Sequence, residues 1–210
     1  MTSRIEDQLA TTLGRSDEGP NIATAEKIAK SSDAAEMKEL MGLLNHKSSA
    51  IRNDAIKVIY EVAVRKIELV TPYMYKILHL LDHKDNRMRW GAMTALSAIA
   101  RSRPDLISSH LPRIVEAMDT GSVITRDHGI YILCHVSTLP SYHEDCIELL
   151  LEQIEKGPVN QVPLYAEQTA GIITDPYKNR FIKILSSRRD VLEIPSKQKR
   201  VEKLIKKLQS

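Results

Sequence analysis

The 210 residues carry 30 Lys and Arg against 27 Asp and Glu, with 42% hydrophobic and only 4% aromatic residues. A chain this long and this apolar can bury a sizeable core, which excludes a disordered protein. Its wealth of Leu, Ile, Ala, Met and Lys beside so few aromatic residues favours helices over strands. The net charge of +3 hides an asymmetry: residues 186–210 hold eight Lys or Arg against three Asp or Glu, leaving the remainder close to neutral at −2.

No basic segment followed by an apolar stretch opens the chain, and no apolar run approaches the roughly 18 residues that span a bilayer. A cytoplasmic protein without a transmembrane segment is the expectation. In chain order, "IEDQLATTL" and "NIATAEKIAK" read as a degenerate opening hairpin over residues 1–31. Met37, Leu40, Met41 and Leu44 then follow helical spacing, and a shift of 37 residues lays them on Met74, Ile77, Leu78 and Leu81, and again on Leu111, Ile114, Val115 and Met118. Each such helix is followed by a short polar turn ("NHKSS", "DHKDN", "DTGS") and a second amphipathic pattern, as in Ile56, Ile59 and Val62 or Met93, Leu96 and Ile99.

A fixed period of this size predicts stacked helical hairpins, with units at 33–66, 70–103, 106–139 and 142–174 and closing helices with a basic tail at 176–210. The fold class expected is all-α, a right-handed α-solenoid of about five to six hairpins forming one domain. Ala55, Ala92, Gly129 and Ala166 fall at one register position, where a small side chain lets the second helix cross the first closely. The pattern L-x-[DN]-x6-R-x2-A/G, at Leu43 to Ala55, Leu80 to Ala92 and, with Ala117 for Leu, at 117–129, resembles the HEAT repeat family, with armadillo repeats as near relatives. The resemblance covers about 110 residues well. It implies a polar ladder pairing Asp82 with Arg89 and Asp119 with Arg126, with Asn45 opposite Arg52; Lys156 and Pro163 would end it in the fourth unit.

The same resemblance implies that second helices line a concave face, so function is sought on their polar stripes. These hold Asn53, Lys57 and Tyr60 in the first unit, Trp90, Thr94, Ser97 and Arg101 in the second, and Asp127 and Tyr131 in the third. Aromatic anchors ringed by polar groups suit recognition of a protein or peptide. The expected function is therefore a non-enzymatic scaffold or adaptor that uses no cofactor. Trp90 lying flat over a neighbouring helix would instead merely seal the groove between repeats.

A nucleic-acid binder, like the DNA glycosylases built on HEAT-like units, is the alternative, drawing on Lys57, Trp90, Arg101 and Asp127. The near-neutral balance of residues 1–185 argues against it, because phosphate binding wants clustered excess cations. Cys134, His135, His143 and Cys146 match no zinc-site spacing, and adjacent helical residues point about 100° apart. No metal site is expected. No phosphate loop, nucleophile elbow or zinc-protease motif occurs. The basic tail, with Lys along one side of "QKRVEKLIKKL", reads as a solvated capping face that could also meet phosphate or anionic lipid.

Overall fold

The computed structural model describes residues 5–209. The described chain is all helix and connecting turn. Its helices are α1 (Gly19–Ser31), α2 (Ala34–Leu43), α3 (Ser49–Arg65), α4 (Ile67–Val70), α5 (Met74–His79), α6 (Asn86–Ser102), α7 (Pro104–Ile107), α8 (Leu111–Thr120), α9 (Val123–Val136), α10 (His143–Lys156), α11 (Val162–Thr169), α12 (Asp175–Asp190) and α13 (Pro195–Gln209). No strand occurs among the described residues. Two compact units result, one ending at His128 and one beginning at Gly129, a boundary that lies inside α9.

Local chemistry sets the helix ends. Asp33 and Asp85 accept hydrogen bonds from the backbone N–H of Ala35 (2.7 Å) and Arg87 (2.9 Å), each satisfying a donor that the first turn leaves open. His46 and His83, one period apart, each accept through Nδ1 from the N–H two residues on, at 3.1 and 2.9 Å, and so shape the two polar turns alike. The helices that the periodicity places on Met74 to Leu81 and Leu111 to Met118 are α5, extended by a 3-10 turn to Asp82, and α8; a break separates each from a short helix before it, α4 or α7. Pro72 and Pro112 lack the N–H that would continue the ladder, and a 3-10 turn takes up each break.

In the first unit α2 packs on α3, α5 on α6, and α1, α3 and α6 lie side by side as successive second helices. Ala55 and Ala92 are fully buried. The closest approach falls one residue earlier, at Gly91, where a Cβ would stand 2.6 Å from Ile56 Cγ1 and 3.2 Å from its Cγ2. Before α1, the segment around residues 5–14 is held by a buried polar network. Asp54 accepts from Thr11 N–H (2.7 Å) and Asn21 Nδ2 (2.8 Å), and Asn21 Oδ1 accepts from Ala10 N–H (3.0 Å). In the second unit α10 and α11 pack on each other, α12 lies against α10 and α13, and α13 against α11. Tyr165 and Phe181 are the largest fully buried side chains of that core.

The polar ladder differs from the expected one. Arg126 does approach Asp119, at 3.8 Å. Arg89, however, donates from Nε to the Leu81 carbonyl (2.9 Å) and from Nη2 to Thr120 Oγ1 in the following turn (2.7 Å), while Asp82 receives Arg113 of α8 instead. Arg52 donates to the His46 and Lys47 carbonyls of its own turn, at 2.7 and 3.1 Å. A guanidinium has five donors and a long stem, and turn carbonyls at the negative end of a helix satisfy it as well as a carboxylate does. In the fourth hairpin, where neither expected partner exists, Arg188 of α12 donates to the Gly157 carbonyl. Lys76 to the Met41 carbonyl (2.7 Å) and Lys197 to that of Asn160 (2.8 Å) repeat this motif.

Candidate functional site

The second helices of the first unit carry the aromatic cluster. Tyr60 on α3 and Trp90 on α6 sit with ring centroids 5.9 Å apart, tilted by 46°, and the Arg87 guanidinium lies 5.3 Å above the indole. Arg87 is three residues before Trp90, so one helix face presents both. Trp90 is partly buried, with its ring against the neighbouring helix and part of its surface open to solvent.

Around the rings runs an interlocked set of charges. Lys57 Nζ lies 2.7 Å from Glu18 Oε2, 2.9 Å from Glu61 Oε1 and 4.9 Å from the Tyr60 ring centre. Glu18 also meets Arg87 (3.6 Å), Glu61 pairs with Arg65, and Arg65 approaches Glu26 (3.5 Å). Burial opposes the Lys57 charge, but the hydrogen bonds to Glu18 and Glu61 outweigh it and hold the ammonium above its ordinary value. Burial likewise opposes the Glu61 charge, and hydrogen bonds from Lys57 and Arg65 overcome it, keeping the carboxyl below its ordinary value. Tyr60, chiefly through burial, is raised.

Two stripe residues are therefore not where the repeat pattern places them. Lys57 and Tyr60 are 6% and 8% exposed rather than facing solvent, because α1 stacks on α3 and Glu18, just before α1, reaches over them. The structure brings Lys57, Tyr60 and Trp90 together. Thr94 uses its hydroxyl on the Trp90 carbonyl (2.8 Å), Ser97 is partly exposed and Arg101 is exposed. Asn53 is partly buried, its Oδ1 without a hydrogen-bond partner. Asp127 and Tyr131 both lie on α9, Asp127 in the first unit and Tyr131, 40% exposed, in the second.

Sequence reasoning missed Glu18 and Arg87. The spacing from Trp90 signals Arg87, but nothing local links Glu18 to a lysine 39 positions later. In the second unit, burial pushes the thiols of Cys134 and Cys146 up to about 12, keeping both protonated. His143 donates from Nδ1 to the Ser137 carbonyl (2.9 Å). Among the described residues no group of three or more His, Cys, Asp or Glu is placed to hold a metal ion, and no helix is long and apolar enough to cross a membrane.

No protein-family model matches the sequence, and no curated protein is significantly similar to it. Solved structures are. A designed armadillo repeat protein in complex with the peptide (KR)4 is similar at a TM-score of 0.67 and 14% identity, over 99% of this chain and all of that one. A computationally designed armadillo repeat protein made for modular peptide recognition matches at 0.64 and 15%, covering 97% of this chain and 98% of that one. Importin beta matches at 0.55 and 16%, over 95% of this chain but 26% of its own. With sequence identities this low, what is shared is architecture: the chain has the armadillo and HEAT type of helical-repeat fold.

Proposed function

We propose that this protein is a non-enzymatic, cytoplasmic interaction scaffold that takes a protein or peptide segment on the second-helix face of its first unit, α3 and α6. The observation that carries the proposal is Trp90, part open to solvent yet held between Tyr60 and Arg87 over an ion-paired floor. A large aromatic surface already fixed in place loses little conformational freedom on binding, which is how an indole comes to dominate a recognition surface. Exposed Arg101, and Glu18 at 51% side-chain exposure, give the rim both signs of charge. The likeness to designed armadillo proteins, one of them solved with a peptide, supports the reading. Against a phosphate groove stands Lys57, whose charge is already engaged by Glu18 and Glu61.

The test is co-purification from native cytosol with two variants. Arg101→Glu changes an exposed side chain and should leave the melting temperature unaltered while weakening retention of a stoichiometric polypeptide. Trp90→Ala should abolish retention, a loss of about 2 kcal/mol or more in binding. Full retention by both variants, with only an earlier melt for Trp90→Ala, would reduce the indole to packing and sink the proposal.

A further inference from the structure

A strongly basic surface lies outside that face, on α13 and the turn before it. Val201 and Ile205 turn inward and are buried, so the opposite side of the helix points to water. Lys199, Lys203, Lys206 and Lys207 occupy that side within two and a half turns, about 12 Å of axis. Lys199 and Lys203 have no ion-pair partner among the described residues, and Lys206 meets Glu202 at 2.9 Å. Glu167 of α11 engages Arg200, at the edge of this side.

A second feature adjoins the stripe. Val191 and Ile194, in the turn between α12 and α13, are 56% and 39% exposed, whereas Leu192 between them is buried. The turn is tied to α13 because Gln198 donates to the Leu192 carbonyl, and Arg189, Asp190, Gln198 and Glu202 line one shallow hollow. Two aliphatic side chains thus stand in water at the head of a row of lysines.

We infer that this surface docks on an anionic lipid bilayer, with the lysines of α13 over acidic headgroups and Val191 and Ile194 entering the interface. Compact, strongly hydrated ammonium groups on flexible stems suit a diffuse layer of negative charge, and the surface carries no aromatic ring on which a nucleic-acid base could stack. The exposed aliphatic pair distinguishes the bilayer from a nucleic-acid backbone, which offers it nothing. Because the apolar face of α13 is already committed to the core, the helix stays folded in the protein and the contact is peripheral, reversible and salt-sensitive. Three exposed acids, Asp190, Glu193 and Glu202, also lie on this segment, against eight Lys and Arg between residues 186 and 210, so the balance of the surface stays basic.

The experiment is co-sedimentation of the full chain with vesicles of phosphatidylcholine alone and with about one-quarter phosphatidylserine, at low and high salt. Binding is expected only to the acidic vesicles and to fall as salt rises. Lys199→Gln with Lys203→Gln should weaken it at least about tenfold, and Val191→Ser with Ile194→Ser should weaken it by a similar factor. All four positions are exposed, so unchanged helical circular dichroism confirms that the variants fold. Equal binding to neutral vesicles, or indifference to the lysine pair, overturns the inference. So does indifference to the aliphatic pair, which would leave phosphate as the only determinant. Retention by duplex DNA with none by vesicles would assign the surface to nucleic acid instead.

Discussion

Glu61 shows how a single side chain sets the pH response of the first unit. Its folded-state pKa lies below the ordinary 4.5, since the hydrogen bonds from Lys57 and Arg65 outweigh its burial. A depressed carboxylate contributes stability that is fully present above the unfolded value and is lost as pH falls through the folded one. Glu61→Gln is therefore expected to cost about 1–3 kcal/mol at neutral pH, and the difference from the parent should shrink as pH drops below 4.5. Urea denaturation curves at the two pH values measure it. The two cysteines give a second residue-scale expectation. With thiols raised to about 12, alkylation of the folded protein in mild base should be slow, and unfolding should release both sites to react rapidly. Fast alkylation of the native protein would contradict the burial described.

At the scale of elements, the crossing of α3 and α6 is governed by Gly91. Alanine there gains up to about 1 kcal/mol of helix propensity but drives a methyl into Ile56, at an overpacking cost of about 1–3 kcal/mol. Gly91→Ala should be net destabilising, and less so in an Ile56→Ala background; thermal melts of the four proteins give the coupling directly. The hydrophobic spacing made the helices and the small-residue position at Ala55 and Ala92 readable from sequence, because a period of 3.6 leaves few ways to bury one face. Gly91 was not readable in the same way. Its neighbour Ile56 comes from the preceding hairpin, and a glycine inside a helical pattern has many meanings until the axes are placed. The ladder was half legible for a related reason: the cations were recognisable, but Arg89 and Asp82 chose partners by reach, not by the pairing that the family resemblance implies. Lys57 and Tyr60 were misplaced because helical geometry gives a stripe its direction but does not show what α1 lays over it.

For the molecule as a whole, stability should be graded rather than uniform. Ten of the 17 positions of α3 and eight of the 17 of α6 are buried, whereas α13 gives the core Val201 and Ile205. Hairpins that touch chiefly their neighbours can open separately, so amide exchange should be slowest in α3 and α6 and faster in α13. Uniform protection across these helices would instead indicate a single cooperative block.

The ties made by Lys76, Arg188 and Lys197 carry a consequence for how such a chain drifts over time. Each grips a main-chain oxygen, which every amino acid supplies, so the gripped position can change identity while the tie persists. Only the cation has to endure. A fold fastened in this way can change much of its sequence and still keep its architecture.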